Sequence, residues 1–192
     1  DQPITFSGIN GWQGIAVMRS DETNILEHVT IKDTTGVNQG AWALTGGVTF
    51  YQSPVHIRHS RFDHNTAEDA LNFIESDFSF LDSVITNASF DAIDSDFSNG
   101  VINNSIFRDI GYAGGGDGVD ISGSHVKVTN SIFDSIEDKA LSIGEKSNLI
   151  ASDIVITNSG TGIASKDGSI STVSNITINK PVFAALLAYM KK

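Results

Sequence analysis

The chain has 192 residues, with 12 Lys and Arg against 23 Asp and Glu; its formal net charge of −11 repels nucleic acid and anionic lipid at long range. It contains no cysteine, which excludes disulfides, Cys-based zinc sites and thiol chemistry. Residues 1–6 lack a basic stretch leading into an apolar one, and no apolar run approaches the roughly 18 residues of a membrane span, so a soluble chain without membrane insertion is expected, any export signal having been removed or never present.

Taken in chain order, one short segment recurs: Gly14-Ile15-Ala16-Val17, Gly47-Val48-Thr49-Phe50, Ala70-Leu71-Asn72-Phe73, Ala92-Ile93-Asp94-Ser95, Gly118-Val119-Asp120-Ile121, Ala140-Leu141-Ser142-Ile143 and Gly162-Ile163-Ala164-Ser165. The first residues of these segments lie 33, 23, 22, 26, 22 and 22 apart, so a unit of 22 with two insertions accounts for the series. Within a unit, apolar and polar residues alternate, as in Val55-His56-Ile57 and Val126-Lys127-Val128, which is the period of a strand. Each unit holds three such strands. It is too small to bury its own apolar face, and stacking in register supplies the missing partner. The expected fold is all-β: a three-strand parallel solenoid of about seven coils of about 22 residues.

The third strand aligns Ile31, Phe62, Ile85, Phe107, Phe133, Ile156 and Ile178 as one inward column, and Val29, Ser60, Ser83, Ser105, Ser131, Ile154 and Ile176 as a second. Before them runs a turn column of His28, His59, Asp82, Asn104, Asn130, Asp153 and Asn175. Asn and Asp tolerate left-handed backbone and hydrogen-bond along a stack, so this column reads as a structural ladder. The insertions, residues 33–45 with Trp42 and residues 111–116 with Tyr112, fall before the first strand of a unit and are expected to rim one binding surface. Residues 181–192 read as the start of an eighth coil, with an amphipathic capping helix as the alternative. The whole is taken as one domain over residues 1–192, which leaves room for the chain to be a piece cut from a longer protein with further modules.

The repeat resembles the pectate-lyase-like right-handed parallel β-helix proteins over nearly the whole chain. The runs Glu68-Asp69-Ala70-Leu71-Asn72, Asp91-Ala92-Ile93-Asp94-Ser95-Asp96-Phe97 and Asp138-Lys139-Ala140-Leu141-Ser142-Ile143-Gly144-Glu145 look like bacterial secreted β-helix repeat proteins. The resemblance implies right-handedness and a secreted or cell-surface location; a fold of this kind does not by itself imply an activity. Asp117-Gly118-Val119-Asp120-Ile121 is similar to the Asp-bearing strand of polygalacturonases, but the chain has no Gly-His-Gly and no Arg-Ile-Lys, so that activity is not carried over.

In the first strand, Leu71 and Phe73, or Val119 and Ile121, are read as inward. The small column Gly14, Gly47, Ala70, Ala92, Gly118, Ala140 and Gly162 is then expected to face outward, as a floor for an extended polymer. Beside it run Asn72, Asp94 and Asp120 in one outward column, Tyr51, Asp96 and Lys166 in the next, and Asp69, Asp91, Asp117 and Lys139 at the corner. Strands in adjacent coils lie about 4.8 Å apart. Facing carboxylates at that spacing raise one another's pKa or recruit a cation, for which Asp91, Asp94, Asp96, Asp117 and Asp120 are the candidate ligands and Ca²⁺ the candidate ion. Two bland readings stand beside these: the corner aspartates cap backbone N–H groups, and the lysines form ordinary ion pairs. Asp94, Asp120 and Lys139 are the candidate acid–base residues; Asn72, Asp96, Tyr51, Trp42, Tyr112 and Lys166 are the candidate saccharide contacts. The expected function is polysaccharide binding along this face, with a polysaccharide lyase, glycoside hydrolase or epimerase as one alternative and a structural or adhesive repeat as the other.

Overall fold

A computed structural model describes residues 3–191 as a parallel β-solenoid with no α-helix among them. Three faces run along its length. The first stacks Ile15–Met18, Gly46–Tyr51, Asp69–Ile74, Asp91–Asp96, Val119–Ser122, residues 139–144, residues 161–166 and Ala184–Tyr189, all parallel and each paired with the next. The second begins with Asn24–Glu27 and the third with Ile4–Phe6, and both continue coil by coil to residues 170–179. Ala184–Tyr189 is an eighth rung of the first face, so the strand reading of residues 181–192 holds and the capping-helix alternative does not; Lys192, like Asp1 and Gln2, lies outside the described residues.

The core is a set of vertical columns. The third-face column pairs Ile31, Phe62, Ile85, Phe107, Phe133, Ile156 and Ile178 in the register read from sequence. Phe107 and Phe133 stack with centroids 4.6 Å apart, and Phe73 lies 4.1 Å from Phe78 across the interior.

The coils turn their corners on left-handed residues, one at most corners and two, Glu145 and Lys146, at one of them. Among the described residues, the non-glycine residues with positive φ fall into three columns: Arg19, Gln52, Glu75, Phe97, Glu145, Lys146 and Asp167; His28, His59, Asp82, Asn104, Asn130, Asp153 and Asn175; and Asp33, His64, Asn87, Asp109, Ser135, Asn158 and Lys180. The middle column is the turn column expected from sequence, but its side chains form an uneven ladder. Asn104 donates to Asp82 at 2.6 Å and Asn175 donates to Asp153, whereas Asn130 slips sideways to Asn103. The backbone groups at the corners are satisfied instead by serines that follow the left-handed residue. Ser60, Ser83, Ser105 and Ser131 each accept an N–H from the preceding coil and donate to a carbonyl two residues back in their own. A second serine ladder, Ser53, Ser76, Ser98, Ser124, Ser147 and Ser169, does the same accepting work after the first face. Buried corners need such partners, because an unpaired buried backbone group is costly.

One expectation about the first face is overturned. Ala70, Ala92 and Ala140 are at most 1% exposed, and a Cβ on Gly118 would sit 2.6 Å from the Ala140 carbonyl oxygen and 2.8 Å from the Phe133 ring. The small column is tucked under the corner against the third-face core and offers no floor to a ligand. The chain bends at residues 69–70, where the ladder steps from Asp69↔Asp91 directly to Leu71↔Ile93, so strand alternation starts only at residue 71.

Candidate functional site

Asn72, Asp94, Asp120 and Ser142 are consecutive rung partners on the outer side of the first face. Asn72 Nδ2 donates to Asp94 Oδ2 at 3.0 Å. In the next column toward the second face, Tyr51, Ile74, Asp96 and Ser122 align. Tyr51 packs under the Arg19 guanidinium, 5.8 Å from its ring centroid, two rungs before Asp96. Lys166 comes down this side of the acidic face. It is only 5% exposed; its stem lies over Gly144, its Nζ donates to Ser142 Oγ at 2.6 Å, and Nζ stands 3.8 Å from Asp120 Oδ1.

The corner column runs Gly46, Asp69, Asp91, Asp117 and Lys139. Asp91 Oδ1 accepts the Asp117 N–H at 2.7 Å, and Asp117 Oδ1 accepts the Lys139 N–H at 2.8 Å. These two aspartates therefore do the capping work that the bland reading assigned to them. Lys139 Nζ is held by Asp117 at 3.3 Å and by Asp138. Burial works against the Lys139 charge but is outweighed by these partners, and its pKa is raised. As an ammonium locked between two carboxylates, Lys139 is poorly placed as a base; the lysine that reaches the Asp94–Asp120 pair is Lys166.

Burial, reinforced by neighbouring carboxyls, raises the proton affinity of Asp69, Asp91, Asp94, Asp96 and Asp117. Asp94 is pushed up to about 9, first by burial and then by Asp69, Asp96, Asp120 and Asp91. Asp91 is pushed up to about 8 by burial, although the Asp117 N–H opposes the shift. Asp69 rises to about 7, chiefly through burial, and Asp96 is raised by burial, Glu145 and Asp120. Three polar atoms here, Asp69 Oδ2, Asn72 Oδ1 and Asp120 Oδ1, are buried and find no hydrogen-bond partner among the described residues. Among those residues no three His, Asp or Glu side chains converge on a point that would hold an ion.

Trp42 and Tyr112 stand elsewhere. Trp42 is 54% exposed on an antiparallel hairpin, Asn38–Gln39 with Trp42–Ala43. Tyr112 accepts from Ser89 Oγ at 2.9 Å and lines grooves with Asp109, Glu137 and Asn158 on one side and with Asp33 and His64 on the other. Both insertions thus lie at the corner between the third and first faces, as expected. The grooves that they line hold neither Asp94 nor Asp120. Sequence reasoning passed over Glu145, which faces Asp96, and the second serine ladder. The ladder was recoverable from the recurrence of serine at 53, 76, 98, 124, 147 and 169.

A profile described as "Right handed beta helix region" matches residues 46–191, and the chain belongs to this family. Among solved structures, the chain is similar to the Streptococcus pneumoniae surface protein and adhesin PfbA, at 14% identity and a TM-score of 0.36, over 86% of this chain and 49% of that one. It is similar also to the catalytic domain of a GH87 α-1,3-glucanase variant in complex with nigerose, at 10% identity and a TM-score of 0.36, over 100% of this chain and 61% of that one. The chain thus spans about half to three fifths of the length of these structures. No curated protein matches the sequence. No helix among the described residues is long and apolar enough to cross a membrane.

Proposed function

We propose that the protein binds an extended polysaccharide outside the cell, along the first face, with Asn72, Asp94, Asp96, Asp120 and Lys166 as the contacts. The observation that carries this reading is a set of buried oxygens without hydrogen-bond partners on the acidic face, Asp69 Oδ2 and Asn72 Oδ1 in one coil and Asp120 Oδ1 two rungs further on. Such oxygens are costly when unpaired. Sugar hydroxyls both donate and accept, and a chain of them laid along the solenoid axis meets one rung about every 4.8 Å. A Ca²⁺ ion between Asp94 and Asp120 belongs to the same reading as a competitor for the proton of Asp94, since the repulsion that raises a carboxyl pKa also attracts a cation. Affinity electrophoresis against a panel of soluble polysaccharides tests the proposal. At least one should retard the wild-type protein, and Asp94→Asn with Asp120→Asn should abolish the retardation. Equal retardation of the double variant by every glycan, or none for the wild type, overturns it.

One observation favours a second reading, hydrolysis of the bound chain. A carboxyl kept protonated near pH 7 by burial, as Asp94 is, meets the requirement for a general acid, with the Asp120 carboxyl one rung away as its partner. Release of reducing ends that is lost in Asp94→Asn, with saccharide binding retained, would support it.

A further inference from the structure

Phe97 breaks the pattern of the corners. Among the described residues it is the one apolar side chain carried at positive φ, 52°, where every other non-glycine residue of this kind is charged or polar. A bulky residue is disfavoured there, and such strain gathers where it serves a site. The Phe97 side chain is nevertheless 66% exposed, so burial does not offset the strain. The next coil makes room for the ring. Phe97 N–H donates to the Ser122 carbonyl at 2.9 Å, and the following residue, Gly123, lies against the phenyl group: a Cβ there would stand 2.6 Å from Cδ1 and 2.7 Å from Cε1. One part of the ring rests on bare backbone, and the rest is open to solvent.

Phe97 follows directly on Asp96, at the edge of the acidic face toward the second face. Tyr51, the aromatic in the Asp96 column, already carries the Arg19 guanidinium on its ring. Phe97 belongs to none of the aromatic stacks among the described residues. A lone exposed apolar side chain is ordinary; one that is also strained and seated on a glycine is held in place. A flat apolar surface beside a carboxyl fits a ligand with a C–H-lined face and hydroxyls around its edge, which is the chemistry of a pyranose ring. Resting on the polysaccharide reading above, we propose that Phe97 is a stacking platform for one sugar ring of the bound chain, with Asp96 beside it for the hydroxyls of that ring. Gly123 is the positioning residue that lets the phenyl group lie down.

The test is affinity electrophoresis in gels containing hydroxyethyl cellulose, xylan, galactomannan or dextran, with a thermal melt of each variant. Phe97→Asn should melt at or above the wild-type temperature, because asparagine accepts left-handed backbone. It should nevertheless lose about tenfold in affinity for whichever of these glycans retards the wild type. Phe97→Tyr keeps the flat ring and should bind like the wild type, whereas Gly123→Ala, whose methyl group displaces the ring, should weaken binding with every polar contact intact. If Phe97→Asn binds as tightly as the wild type while Asp94→Asn with Asp120→Asn does not, the platform is wrong and the acidic-face reading survives. A melting temperature of Phe97→Asn below that of the wild type assigns the ring to covering the Gly123 corner and also overturns the platform. If none of the four glycans retards the wild type, both proposals fall together.

Discussion

Lys166 Nζ stands 3.8 Å from Asp120 Oδ1, with Ser142 Oγ held at 2.6 Å from the same ammonium. The contact spans two coils, because Ser142 separates Asp120 from Ala164 in the column. One lysine therefore ties three rungs of the acidic face together, and the cluster has consequences for stability as well as for binding.

The first concerns pH. A carboxyl whose folded pKa is raised binds more protons in the native state than in the unfolded chain, so stability is greatest at low pH and is lost as pH rises toward the folded pKa. For Asp69, Asp91 and Asp94, raised to about 7, 8 and 9, the decline runs from near pH 4 up to those values. Its slope is at most about 1.4 kcal/mol per pH unit for each group still protonated in the fold. Urea titrations from pH 5 to 9 should show the fall, and Asp91→Asn with Asp94→Asn should flatten it. A flat wild-type profile would show that the cluster is ionised.

Calcium should act in the opposite sense. An ion that binds only the native state adds RT ln(1 + [L]/Kd), about 2.7 kcal/mol at a hundredfold excess over Kd. Since it must displace the proton from Asp94, the increment should grow between pH 6 and pH 9 and vanish when Asp94, Asp96 and Asp120 are all Asn. Calorimetric melts with and without Ca²⁺ at both pH values decide it; no shift at either removes the ion from the reading.

The core columns predict large, local costs. Phe107 is fully buried and stacked on Phe133, so Phe107→Ala should cost about 3–5 kcal/mol by chemical denaturation. Gly118→Ala adds one methyl against backbone and ring and should cost about 1–3 kcal/mol, whereas a ligand floor would tolerate it.

The corners make a finer prediction. Asn104 has a φ of 48° and an exposed side-chain bond to Asp82. Left-handed backbone costs an ordinary residue about 1–2 kcal/mol, a cost that glycine escapes. Asn104→Ala should therefore lower the melting temperature while Asn104→Gly leaves it nearly unchanged. Equal losses would show that the ladder hydrogen bond, and not the backbone, is what Asn104 contributes.

The strands, their parallel register, the phenylalanine and isoleucine columns and the rung pairing of Asp94 with Asp120 were legible in the sequence. Each follows from a period of two within a strand and a period of about 22 between coils. What the pattern could not show is which way a side chain turns where that alternation breaks. Residues 69–70 bend out of the strand period, so Ala70 and Gly118, read as an outer floor, lie inside, while Asp91 and Asp117 turn to cap the next coil's N–H groups. Nor does register alone say how far a long flexible side chain travels. Lys139 and Lys166 flank the Asp94–Asp120 column from opposite sides, one coil apart, but Lys139 folds back onto Asp117 and Asp138, while Lys166 reaches over Gly144 to Ser142 and Asp120. That choice is made by which carboxylates and hydroxyls lie within reach once the coils are stacked, a property of three adjacent rungs and of no single one of them.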